Sequence, residues 1–151
     1  MLRPTLIALI ALAGAAASSQ AIGAEEKTIE PGYWDVTNKV SAAVVLGQTK
    51  TEKRCITPSE VSKFVEGPSN RHYKCTYPTR IFHNGKITLR GSCATKNGHT
   101  AKVQATGSYS PSTFRMTARI DTTYAGIPLS GTATTDARRI SDTCPAPAAA
   151  S

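Results

Sequence analysis

Four cysteines are the residues of this chain whose type and spacing carry the most chemistry: Cys55, Cys75, Cys93 and Cys144. An even number of cysteines in an exported chain indicates disulfides, which form in oxidising compartments. A metal site is the alternative, but no CxxC pair occurs and the three histidines have no ligand-like spacing to the cysteines. We therefore predict two disulfides, no metal and no cofactor.

Groups for nucleophilic or acid–base catalysis are scarce. The sequence contains no G-x-S-x-G motif and no glycine-rich phosphate loop, and two disulfides would leave no cysteine free. His72, His83 and His99 lie in polar, turn-like segments, where we expect exposed loop residues. The few acidic residues form no pair of the kind that glycoside hydrolysis needs. We therefore predict no catalytic residue and no enzyme.

The first residues of the chain predict export. Arg3 provides a positive start, residues 5–17 are largely apolar, and small residues lead to a cleavage site between Ala21 and Glu25. The apolar run is shorter than the roughly 20 residues that a transmembrane helix needs, and no later segment is long enough to span. We expect a cleaved signal peptide over 1–24, a single β domain over 25–144 and a disordered tail over 145–151. The expected location is periplasmic or secreted.

Strand patterns dominate the predicted domain. Trp34 begins an alternating segment, and from Tyr73 onward apolar residues alternate with polar ones in successive segments, as in antiparallel strands with one buried face. Between them, Thr57-Pro58-Ser59-Glu60 has the pattern of a capping box and predicts a short helix that ends at Gly67. Trp34, Tyr77 and Phe114 are the expected large core residues.

These patterns predict an all-β fold with one short helix. We expect a curved antiparallel meander of about seven or eight strands that curls into a barrel or half-barrel. The alternative is an open sheet with the helix packed on its concave face. Inward glycines at Gly91, Gly107 and Gly131 indicate sharp bends. The many inward alanines and glycines either allow this bending or leave room for an apolar ligand.

One hairpin can be placed in register from its turn. If His83-Asn84-Gly85 forms a three-residue loop, Ile81 lies opposite Ile87, Thr79 opposite Leu89, Tyr77 opposite Gly91 and Cys75 opposite Cys93. Cross-strand neighbours of this kind are close enough for a disulfide. We therefore predict a bridge between Cys75 and Cys93, and by exclusion a second one between Cys55 and Cys144.

Positive charge is concentrated in one half of the sequence. The formal net charge of the chain is +8, and no Asp or Glu occurs between Glu66 and Asp121. The alternation places most of the basic residues of this stretch on the outward sheet face, which predicts a positive surface for an anionic partner. A solvated outer face with no partner is the alternative reading. The candidate residues are Lys74, Arg80, Lys86, Arg90, Lys102, Arg115 and Arg119.

Several motifs together resemble a known family. Pro31-Gly32-Tyr33-Trp34-Asp35-Val36 is similar to the opening motif of a family of exported proteobacterial proteins, domain of unknown function 3617. Cys55-Ile56-Thr57-Pro58-Ser59-Glu60 resembles its second motif, and Cys75, Cys93 and Asp142-Thr143-Cys144 resemble its remaining cysteine positions. The resemblance implies an envelope location and a β-rich, disulfide-bridged domain. It implies no activity.

We therefore expect a non-catalytic envelope protein that binds an anionic or apolar envelope component, such as a lipid or glycan. The alternative is a protein-interaction module, for example a small periplasmic inhibitor that binds another envelope protein. Nucleic acid is excluded as a partner by the predicted export.

Overall fold

Seven antiparallel strands and one short helix form the part of the chain that the computed structural model describes, residues 28–42, 45–67 and 73–146. The predicted signal peptide and residues 147–151 of the predicted tail lie outside these residues. The elements are β1 (Gly32–Ala42), β2 (Val45–Ile56), α1 (Val61–Val65), β3 (Tyr73–His83), β4 (Lys86–Thr95), β5 (Thr100–Ser110), β6 (Thr113–Tyr124) and β7 (Ile127–Ser141). The predicted all-β class with a single short helix is confirmed.

The strand order across the sheet is β2-β1-β7-β6-β5-β4-β3. Strands β3 to β7 form the predicted meander, whereas the β1–β2 hairpin joins it through pairing of β1 with β7. Among the described strands, β2 and β3 each pair on one side only, so the sheet is not a closed barrel. The fold corresponds to the open-sheet alternative, with α1 packed on one face of the sheet.

The core lies on the face that α1 covers, which we call the inner face. Phe64 of α1 places its ring centroid 6.3 Å from that of Trp34 and 5.2 Å from that of Phe114. Trp34 and Phe114 are fully buried, as expected, and Tyr77 is half-buried against the same cluster. The largest fully buried side chains are Trp34, Phe114, Ile56, Ile87, Leu89 and Val103.

The predicted register of the β3–β4 hairpin is wrong near its turn. His83 pairs with Lys86, so Asn84 and Gly85 form a two-residue turn in which both residues have positive φ. Phe82 therefore lies opposite Ile87, and Ile81 is 54% exposed on the opposite face of the sheet, which we call the outer face. A bulge between Thr76 and Thr79 restores the predicted alignment further along, where Cys75 pairs with Cys93.

At two inward positions only glycine fits, because the neighbouring backbone is too close for a side chain. A Cβ atom on Gly91 would collide with the carbonyl oxygen of Thr76 at the bulge, and one on Gly107 would collide with that of Arg115. These glycines accommodate close approach of the strands, in agreement with the predicted bends. They do not leave a space for a ligand.

Both predicted disulfides are present. Cys75 and Cys93 are bridged across the β3–β4 hairpin, with 18 residues of sequence separation. Cys55 at the end of β2 is bridged to Cys144, beyond β7, over a separation of 89 residues and a Cα–Cα distance of 5.6 Å. The second bridge therefore links the edge strand β2 to the chain that leaves β7.

The helix begins later than its capping box predicts. The side chain of Glu60 accepts hydrogen bonds from the Thr57 backbone N–H at 3.0 Å and from the Thr57 hydroxyl at 2.8 Å. The Glu60 backbone N–H donates to the Thr57 carbonyl oxygen at 2.9 Å, so residues 57–60 form a turn and the helix starts at Val61. The single helical turn is held by packing of Phe64 and Val65 on the sheet.

Candidate functional site

The helix covers only part of the inner face, and an open cleft lies beyond it. Its floor is built by alternate residues of β5 and β6, including Val103 and Ile120, and Leu129 of β7 contributes to its lining. The volume of the cleft is about 410 Å³, within the range of small-molecule sites. We call it the apolar cleft, with the lining residues Tyr73, Cys93, Thr95, His99, Thr100, Ala101, Val103, Ile120, Thr122, Thr123, Tyr124 and Leu129.

Apolar side chains remain exposed around this cleft. Val40, at the end of β1, is 52% exposed, and Tyr124 and Ile127 at the β6–β7 turn are 62% and 61% exposed. Val40 and Tyr124 line hollows of the inner face. A grouping of exposed apolar residues on a concave surface is typical of a binding site, whereas single exposed apolar residues are ordinary.

The Cys75–Cys93 bridge and Tyr73 form the β3 side of the cleft. Cys93 and Tyr73 line it directly, and the bridge fixes the edge strand β3 to β4 at this level. Tyr77, the next inward tyrosine of β3, packs against the core instead of lining the cleft. Burial, with a smaller contribution from Tyr73, raises the pKa of Tyr77 to about 12.

A second hollow adjoins α1 on the same face and carries positive charge. It has a volume of about 460 Å³, and its lining includes Arg54 and Lys63. The Arg54 guanidinium carbon lies 5.9 Å from the centroid of the Phe64 ring, a cation–π distance. We call this region the cationic hollow, with the lining residues Asn38, Arg54, Lys63, Phe64, Met116, Ala118, Ala133 and Thr135 among others.

The predicted basic surface is only partly assembled. Lys74, Lys86, Arg90 and Lys102 lie on the outer face and are exposed, and no ion pair joins them to another described residue. Arg115 and Arg119 also lie there, but Arg115 pairs with Asp136 and Arg119 pairs with Asp121 at 3.0 Å. Two basic residues of the acid-free stretch are therefore paired with acidic residues, one with Asp121 at the end of that stretch and one with Asp136 of β7.

Arg80 does not belong to the outer face. The bulge in β3 places it opposite the buried Leu89, so its side chain lies on the inner-face side. There its guanidinium carbon is 5.4 Å from the centroid of the Phe82 ring. The prediction that Arg80 belongs to the anionic-partner surface is therefore wrong.

The remaining chemical groups form no reactive cluster in the described part of the chain. His83 and His99 are exposed, as predicted, and the ring of His99 lies 5.8 Å from that of Tyr124 at the rim of the apolar cleft. His72 lies outside the described residues. The described chain holds no group of three or more metal-ligating side chains. None of its helices is long and apolar enough to cross a membrane.

Ile120 and Leu129 are inward by the apolar alternation of their strands, but no sequence pattern assigned them to a site. A signal was present at the start of β5 and the end of β6, where Ala101 and Thr122 stand in place of large core residues. Arg54 was missed because β2 has poor alternation, and its inward orientation appears only from its pairing with Trp34.

The comparisons with known proteins agree with the resemblance of the motifs. A family model described as "Protein of unknown function (DUF3617)" matches residues 29–144, which include every strand and all four cysteines. No curated protein and no solved structure matches the chain. Since the match covers most of its length, the chain belongs to the DUF3617 family.

Proposed function

We propose that this chain is a non-catalytic, exported protein of the cell envelope that binds an apolar ligand in the apolar cleft. The observation that carries the proposal is the uncovered part of the inner face, where Val103, Ile120 and Leu129 line a cleft of about 410 Å³. Burying such a surface under an apolar ligand is favourable by about 25 cal/mol per Å² of apolar area.

Small side chains on the inner face support this proposal, because they leave space above the sheet beside larger residues such as Ile120 and Leu129. Ala101 of β5 lines the apolar cleft, and Ala118 of β6 and Ala133 of β7 line the adjoining hollow. Trp34 and Phe114 fill the space under α1. Among the described residues that line the apolar cleft, there is no fully buried aromatic ring of this kind.

The proposed location rests on the amino-terminal sequence and on the disulfides. The first 24 residues have the pattern of a secretory signal. Two disulfides with no free cysteine are typical of an oxidising compartment such as the periplasm.

Binding of an uncharged, polarity-sensitive fluorophore, N-phenylnaphthylamine, tests the proposal. We expect a saturable rise in fluorescence with the mature chain, and about tenfold weaker binding for Leu129→Asn, which removes apolar contact area from the cleft. Ile81→Asn is the matched control, because Ile81 is an exposed apolar residue on the outer face. Circular dichroism verifies that both variants fold. Absence of saturable binding, or an equal loss in both variants, would overturn the proposal.

A further inference from the structure

We propose that the ligand of the inner face is a single-chain anionic amphiphile, with its acyl chain in the apolar cleft and its headgroup at Arg54 and Lys63. This inference rests on the proposed function and specifies the class of ligand that the site takes. Its basis is that the apolar cleft and the cationic hollow are two ends of one continuous surface.

The continuity follows from the strand register. On the inner face, β6 presents Met116, Ala118, Ile120 and Thr122 in turn, and β7 presents the paired residues Thr135, Ala133, Gly131 and Leu129. The first two residues of each row line the cationic hollow, while Ile120, Thr122 and Leu129 line the apolar cleft. Tyr73 lines both, and Val40 joins the cationic hollow to a smaller apolar hollow that Ile120 and Leu129 also line.

The length of this floor suits an acyl chain. From Thr135 to Leu129 an extended strand covers about 20 Å at about 3.4 Å per residue. The floor is apolar at the end that Ile120 and Leu129 form, and small residues, Ala118, Ala133 and Gly131, continue it toward the cationic hollow. A single extended hydrocarbon chain can lie along a floor of this length.

Charge at the helix end of the floor is positive and available. In the described chain neither Arg54 nor Lys63 forms an ion pair, and both are exposed. Two carboxylates, Glu52 and Glu60, interact with these cations through space but have their direct contacts with other residues. Glu52 pairs with Lys50 at 2.5 Å, and Glu60 accepts hydrogen bonds from Thr57.

The two cations differ in how they can hold a headgroup. The Arg54 guanidinium is positioned over the Phe64 ring and can donate two parallel hydrogen bonds to a carboxylate or phosphate. Lys63 projects from α1 into the same hollow and adds a mobile point charge. A cationic headgroup would be repelled here, and a neutral one would leave the favourable charge interaction unused.

Competition against N-phenylnaphthylamine tests the charge preference. Dodecanoate, dodecyltrimethylammonium and dodecyl maltoside are compared below their micelle concentrations. We expect dodecanoate to compete at least about tenfold more strongly than the other two, since charge-assisted hydrogen bonds are the strong ones. Lauroyl lysophosphatidylglycerol is added as a phosphate headgroup. Stronger competition by either anion supports the proposal and assigns the headgroup as a carboxylate or a phosphate.

The double variant Arg54→Gln/Lys63→Gln locates the headgroup. It should lose the preference for anions, measured as the ratio of dodecanoate to dodecyl maltoside competition in the same variant, so that any change in the affinity for N-phenylnaphthylamine cancels. The control Lys53→Gln/Lys74→Gln removes two positive charges from the outer face and should keep the preference.

Failure of this inference differs from failure of the proposed function. Equal competition by all three dodecyl compounds, or an equal loss in the control variant, would overturn the inference while binding of the uncharged probe still stands. Light scattering that shows a dimer, together with no probe binding, would mean that a second copy covers the inner face. That result would overturn both.

Discussion

Trp34 of the sheet packs directly against α1. Its ring is fully buried, and its indole N–H donates a hydrogen bond to the carbonyl oxygen of Glu30 at 3.1 Å. Phe64 packs against it from the helix. A buried Trp whose N–H is satisfied is a structural residue, and this agrees with its expected role in the core.

Glu60 links the stability of the protein to pH. Hydrogen bonds from the Thr57 backbone N–H, and then from the Thr57 hydroxyl, hold the pKa of the Glu60 carboxyl below its usual range. Because the pKa is lower in the folded chain than in the unfolded chain, the stabilisation is complete above the unfolded value. It is lost as the pH falls through the lower, folded value.

We therefore expect Glu60→Gln to be less stable than the unmodified chain at about pH 7, and this difference to be smaller at about pH 3, where more of the carboxyl is protonated. Urea denaturation followed by circular dichroism at both pH values measures this difference. Glu66→Gln at the other end of α1 is the control for loss of one negative charge. A difference between Glu60→Gln and the unmodified chain that is the same at both pH values would contradict this explanation.

At the scale of elements, the bulge in β3 decides which side chains of the β3–β4 hairpin face the core. The two-residue turn at Asn84 and Gly85 places Phe82 inward, and the bulge then shifts the register so that Cys75 still faces Cys93. Gly91 is required opposite this bulge because the Thr76 carbonyl oxygen occupies the space of a side chain.

Gly91→Ala should therefore destabilise the protein by more than about 2 kcal/mol, because backbone must move to admit the methyl group. Gly47→Ala is the matched control, since a Cβ there would lie 3.5 Å from the Val40 carbonyl oxygen, an ordinary contact. For that variant we expect a change of less than about 1 kcal/mol. Urea denaturation measures both, and equal effects would show that the bulge adapts without cost.

At the scale of the whole molecule, the Cys55–Cys144 bridge holds the strands that the local sequence does not bring together. It links β2 to the chain that leaves β7, over 89 residues of sequence separation. Strand β1 lies between β2 and β7, and its pairing with β7 is the longest-range contact of the sheet. Closing so long a loop restricts the unfolded chain strongly.

Replacing both cysteines in Cys55→Ala/Cys144→Ala should lower the free energy of unfolding by about 4.6 kcal/mol. The Cys75–Cys93 bridge closes a shorter loop. Its removal in Cys75→Ala/Cys93→Ala should therefore lower the free energy of unfolding by about 3 kcal/mol in the same chain-entropy treatment. Chemical denaturation of both double variants gives the comparison. A larger loss in the Cys75→Ala/Cys93→Ala variant would show that packing of the buried Cys93 outweighs the entropy of the longer loop.

Local periodicity and turn chemistry predicted much of the fold. The alternation after Tyr73 fixes the strands, because a half-buried strand must place apolar residues at every second position. The pairing of Cys75 with Cys93 also followed from local sequence, although the bulge made the intermediate register wrong. The turn has two residues where three were expected, and the bulge adds one residue to β3 with no distinct pattern in the sequence. Between the turn and the bulge, Ile81 and Arg80 were therefore assigned to the wrong faces.

Spacing along short stretches, and exclusion among four cysteines, was enough to predict the antiparallel strands, the short helix and the disulfide partners of this protein. What the two faces of the sheet present depends instead on pairing between distant segments. Pairing of β6 with β7 brings Asp136 to Arg115, and pairing of β1 with β2 brings Arg54 beside Trp34 on the inner face. Among the described residues, α1 covers only part of that face, and the apolar cleft lies beyond it. Such a cleft is formed by residues far apart in the chain, and no local pattern encodes it.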